Sequence, residues 1–134
     1  MASANLDLVR SINADWERGD FSGTHWADTE IEFEFRDWPA RGKWTGVAGM
    51  AEGWLAWLGA WADFRAEADE YREVDDEHVL VLCHFRGRGR TSGLDVGQVT
   101  TKAASLFRVR DGKVTRLVLY AEGEQALADL GLSR

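Results

Sequence analysis

The sequence predicts an α+β domain, and three observations lead there. Apolar residues recur at helical spacing through much of residues 1–61, alternation with a period of two dominates from residue 62 onward, and the change comes without a repeat or a low-complexity linker. With 134 residues the chain has room for one core, so a single domain spanning 1–134 is expected.

The elements follow in order. In "ANLDLVRSINADWERGD" Leu8, Ile12 and Trp16 stack four residues apart, and Gly19 ends a first helix. "DFSGTHWAD" reads as a short second helical turn with Asp20 as its N-cap. Residues 30–36 alternate as a first strand, and residues 39–45, which hold the only proline, form a loop. A third helix runs over residues 47–61, where Trp54, Trp57 and Trp61 share a face. Gly49, Gly53 and Gly59 weaken it by roughly 1 kcal/mol each, so packing must hold it. Beyond it, "DFRAEADEYREV", "HVLVLCHFRGRGR", "VGQVTTKAASLFRVR" and "KVTRLVLYAE" read as four long antiparallel strands. The last two are joined at Asp111-Gly112, and "GEQALADLGL" closes with a short helix.

Composition narrows the function. The formal net charge of −7 opposes binding to nucleic acid, and no apolar run reaches the roughly 20 residues that span a bilayer. A lone Cys83, no metal-ligand motif and an N-terminus without a greasy leader point to a cytoplasmic protein with no metal or organic cofactor. Seven tryptophans, all in the first half, supply either core or the wall of an apolar ligand site.

The order of elements, together with "RGDF", "WTGVAGM" and "FRVRDGKVTRLVLY", resembles the SnoaL-like branch of the nuclear-transport-factor-2-like superfamily over nearly the whole chain. The resemblance implies a cystatin-type cone: a curved antiparallel or mixed sheet wrapped around three helices, with an apolar pocket open at one end and a homodimer through the outer sheet face. Its ketosteroid isomerases place a tyrosine where this chain has Ile12 and an acid where it has Ser105, so that isomerisation is not expected here. For the isomerase base, counting from Asp28 gives Glu34, and counting back from Gly46 gives Asp37. Burying Ile31, Phe33 and Phe35 inward is worth roughly 1.5 to 3 kcal/mol each, which favours Asp37 at the cavity mouth and keeps Glu34 as the second choice.

In the isomerase-like register Leu80, Leu82, His84 and Arg86 face the pocket, while Val79, Val81, Cys83 and Phe85 form the dimer face. His84 with Asp37 or Glu34 is then the candidate acid–base set. The pocket wall is expected from Ile12 and Trp16, from Trp26, Phe33 and Phe35, from Trp54, and from Ser105, Leu117 and Leu119. The expected function is cofactor-independent acid–base chemistry on a small apolar or aromatic metabolite. The alternatives are a non-catalytic module binding a small hydrophobic molecule, or a dimeric interaction protein.

Overall fold

Each helix and strand is set by the face it has to bury. The computed structural model describes residues 3–36, 42–59, 61–91 and 94–132. Helix α1 (Ala4–Glu17) is capped by Ser3, whose hydroxyl accepts from the Leu6 amide at 3.0 Å. It ends where Gly19 turns left-handed at φ 82°, and it buries Val9, Ile12, Asn13 and Trp16.

The expected second helical turn does not form. The Asp20 carboxylate accepts from the amide and hydroxyl of Ser22, closing a local turn instead of capping a helix. Strand β1 (Ala27–Phe35) follows at once, three residues earlier than its alternation suggests. Part of the expected loop is a short strand, β2 (Gly42–Thr45), paired antiparallel to β1. Helix α2 (Gly46–Leu58) stops before Gly59, so Trp61 opens strand β3 (Trp61–Glu73) rather than closing the helix. Strands β4 (His78–Thr91), β5 (Leu94–Arg110) and β6 (Lys113–Tyr120) complete a meander, and helix α3 (Gly123–Leu130) ends the chain. Asp111 and Gly112 join β5 to β6 with φ of 51° and 75°, as an Asp-Gly hairpin turn requires.

The sheet order is β2-β1-β6-β5-β4-β3, antiparallel throughout except that β1 and β6 run parallel. This is the α+β cone with a mixed sheet. Helices α1 and α2 cover its inner face over a cluster that joins Ile31, Phe33 and Phe35 to Val79, Val81, Cys83 and Phe85. Helix α3 covers part of the outer face, where Ala126 and Leu127 pack on Leu80, Leu82, Leu106, Val118 and Tyr120. Among the described residues, no helix is long and apolar enough to cross a membrane.

Gly53 shows how tightly α2 is seated. A Cβ there would stand 2.8 Å from the Phe33 ring and 2.9 Å from the Trp44 ring. Both rings are pinned by aromatic neighbours, so they cannot swing aside. Overpacking costs about 1–3 kcal/mol against at most about 1 kcal/mol gained in helix propensity. The Gly53→Ala variant is therefore expected to lose stability in urea denaturation.

Candidate functional site

Alternation along each strand assigns its side chains to two faces, and the inner face carries a closely packed cluster of rings, termed the basin. Trp16 of α1 sits at its centre, 5.3 Å from Trp54 and 5.6 Å from Phe107 between centroids. Trp54 of α2 reaches Phe33 at 5.3 Å, and Phe35 stacks on Trp57 at 5.0 Å. Phe21, half-buried at the margin, leans on Trp54 at 5.0 Å and on Phe64 at 5.4 Å. The structure thus brings together Ile12, Trp16, Trp26, Phe33, Phe35, Trp54, Leu117 and Leu119 of the expected wall in one cluster. Ser105 lies on the same face of β5 as Phe107 and is fully buried.

Polar atoms are set into this wall. Asn13 is fully buried; its side-chain amide donates to the Val9 carbonyl at 3.0 Å, and its Oδ1 has no hydrogen-bond partner among the described residues. The same holds for the indole Nε1 of Trp54. The Ser105 hydroxyl makes no hydrogen bond of good geometry, although the Cys83 thiol is near enough to feel it. Burial pushes that thiol up to about 12, so Cys83 is a neutral, unreactive wall residue. Leaving a buried acceptor or donor unpaired costs roughly 1–3 kcal/mol, and native interiors keep few such groups. Asn13 was missed in the sequence because the ladder Leu8, Ile12, Trp16 hides the better-buried ladder Val9, Asn13, Trp16.

Strand β4 reverses the expected faces. Val79, Val81, Cys83 and Phe85 point into the basin, whereas Leu80, Leu82, His84 and Arg86 belong to the outer face. Both sides of the strand are apolar because helices cover both, so hydrophobicity alone could not choose between them. Val79, Val81, Cys83 and Phe85 are buried inside the chain and cannot form a dimer face.

Glu34 also lies outside the basin, as the parity of β1 implies, and Asp37 falls outside the described residues. His84 and Glu34 are not brought together: two strands separate β4 from β1, a spacing of roughly 14 Å across the sheet. His84 pairs instead with Asp69 of β3, Nδ1 to Oδ2 at 2.5 Å.

Glu34 is nonetheless nearly buried, at 8% exposure. It accepts from Arg36 and, at 3.5 Å, from Arg116, and Arg36 continues to Asp129 of α3 at 3.1 Å. The Tyr120 hydroxyl donates to the same Asp129 carboxylate at 3.1 Å, and burial pushes Tyr120 up to about 12. This network ties α3 to the sheet, which is a structural task. Among the described residues no group of three or more acidic, histidine or cysteine side chains could hold a metal.

The SnoaL-like domain family matches residues 9–117 of this chain. No curated protein matches it. Among solved structures, TerC co-crystallised with polyporic acid is similar at 20% identity and a TM-score of 0.74, covering 96% of this chain and 98% of that one. A protein of unknown function with a cystatin-like fold from Xanthomonas campestris is 18% identical with a TM-score of 0.73, over 97% and 98%. A protein of ketosteroid-isomerase-like fold from Catenulispora acidiphila, in complex with trimethylamine, is 18% identical with a TM-score of 0.67, over 95% and 94%. At these identities the likeness is one of fold.

The outer network carries a pH signature. Burial would raise the Glu34 carboxyl, but the hydrogen bond from Arg36 and the charges of Arg36, Lys43 and Arg116 outweigh it and hold the group below the usual glutamate range. A carboxyl depressed in the folded state stabilises above its unfolded pKa, and that stability is lost as pH falls through the lowered folded value. Glu34→Gln is expected to cost about 1–3 kcal/mol at neutral pH. The gap to the parent protein should close on acidification, as read by denaturation midpoints across a pH series.

Proposed function

Since the chain belongs to the SnoaL-like domain family, we propose that it binds a small, largely aromatic molecule against the inner face of its sheet. One observation carries this reading: Asn13 presents an unpartnered, fully buried oxygen on the helix face that packs onto a cluster of rings and aliphatic side chains. A site of this kind takes its affinity from apolar contact and its selectivity from a few polar atoms, because a ligand group that satisfies a buried acceptor removes its desolvation penalty.

The chemistry of the wall sets the ligand's character. The indole Nε1–H of Trp54 is a donor only, the Oδ1 of Asn13 is an acceptor only, and the Ser105 hydroxyl is both. The polar side chains fully buried on this face, Asn13 and Ser105, carry no charge. The best occupant is therefore a neutral, flat, conjugated molecule with a carbonyl for the indole and a hydroxyl or amine for Asn13. Rings of the basin stack on its faces, and Phe21, half-buried against Trp54, borders it. Binding is the function this supports. Among the described residues, the polar groups buried in this wall, Asn13, Ser105 and the neutral Cys83, provide no titrating group for proton transfer.

Polyporic acid, present in the TerC crystals, is a suitable first probe when titrated at a pH low enough to keep its hydroxyls protonated and the molecule neutral. Titration followed by tryptophan fluorescence should show saturable quenching, and Asn13→Leu should weaken binding at least about tenfold, the worth of one buried hydrogen bond. The ligand-free variant should be as stable as the parent protein or more stable, because an unpaired polar group has been removed. Equal affinity in the two proteins, with Asn13→Leu less stable, would contradict the proposal.

A further inference from the structure

The outer face holds a second cluster that the basin does not use. Between Ala68 and Glu70 the β3–β4 register shifts by one residue, leaving Asp69 as the extra residue of a bulge. Bulges re-aim side chains, and this one turns the Asp69 carboxylate onto the imidazole of His84, with Oδ2 2.5 Å from Nδ1. Glu67, the residue that stands opposite His84 in the register, is taken by Arg86 at 2.7 Å, which leaves the imidazole to Asp69. Directly across the β4–β5 pair from His84 stands Lys102, exposed and with no ion-pair partner among the described residues. His84, Asp69, Lys102 and Leu82 line one depression of about 260 Å³. Its remaining acid, Glu70, is paired with Arg72.

A carboxylate on Nδ1 fixes the tautomer of a neutral imidazole: Nδ1 carries the hydrogen and Nε2 carries the lone pair. His84 therefore presents a base of fixed orientation, and an ammonium lies beside it. A base next to an unpaired cation suits one kind of ligand group, a hydroxyl acidic enough to ionise. We infer that His84, Asp69 and Lys102 form a second small-molecule site, which binds phenols or enols as their anions. The O–H bond breaks, the proton goes to His84 Nε2, and the electron pair stays on the oxygen. That oxygen then faces both the new imidazolium N–H and the Lys102 ammonium. Leu82 gives the ring an apolar floor. This inference does not rest on the basin reading, since the two sites lie on opposite faces of the sheet.

The test uses 4-nitrophenol, whose anion absorbs visible light and whose neutral form does not. With saturating protein, the acidity constant of the phenol read from its absorbance should rise roughly tenfold, the size expected for charge-assisted hydrogen bonds to one oxygen. His84→Gln and Lys102→Met should each abolish or sharply reduce that rise, with circular dichroism confirming their fold. Because Lys102 is exposed, its variant is expected to fold with only a small change in stability. No change in acidity would overturn the inference, and so would a rise that survives in both variants. A fall in acidity would overturn it too, because that sign reports uptake of the neutral phenol into the uncharged basin.

Discussion

The whole arrangement depends on two-sided burial of one sheet. Helices α1 and α2 press indole and phenyl rings onto the inner face, and α3 presses Ala126 and Leu127 onto the outer. Each ring contact is worth about 0.5–1.5 kcal/mol beyond area burial, and Trp16 and Trp54 each take part in several. Glycine at position 53 lets α2 descend until the Phe33 and Trp44 rings nearly touch its backbone. Take away the rings and α2, with Gly49 and Gly53 in its interior, has little intrinsic reason to stay helical.

The same arrangement explains which features were legible in the sequence. Strand β1 was readable because Ile31, Phe33 and Phe35 alternate with acids, and only one of its faces is apolar. Strand β4 was readable as a strand but its faces were not: Val79, Val81, Cys83 and Phe85 are as apolar as Leu80 and Leu82, and only the packing of α3 separates the two sets. That ambiguity put His84 on the wrong face and took Leu80, Leu82 and Arg86 with it. The missing helix at residues 20–28 has a local cause, since Asp20 can cap a helix or close a turn and Ser22 decides for the turn. Asp69 was beyond reach because no periodic pattern announces a bulge.

The two faces also divide the chemistry. Inside, apolar rings surround a few neutral polar atoms, and the one ionisable thiol described there is held neutral. Outside, charges are paired along a strand, as in Glu34 with Arg36, and across strands, as in Glu34 with Arg116, Glu67 with Arg86, and His84 with Asp69. A low-dielectric interior makes each unpaired polar atom costly and so selective, whereas the solvated face tolerates charge and can use it. The two proposed sites would thus use neutral recognition on one side of this sheet and ionic recognition on the other, from alternate residues of the same strands.

The central claim is that the unpaired oxygen of Asn13 marks a ligand site in the ring-lined basin. A crystal structure of the protein purified without detergent and soaked with polyporic acid tests it most directly. The account predicts planar density among Trp16, Trp54 and Phe107, with a donor group within hydrogen-bond reach of Asn13 Oδ1. Rings closed on one another, with Asn13 Oδ1 and Trp54 Nε1 both paired to protein atoms, would contradict it.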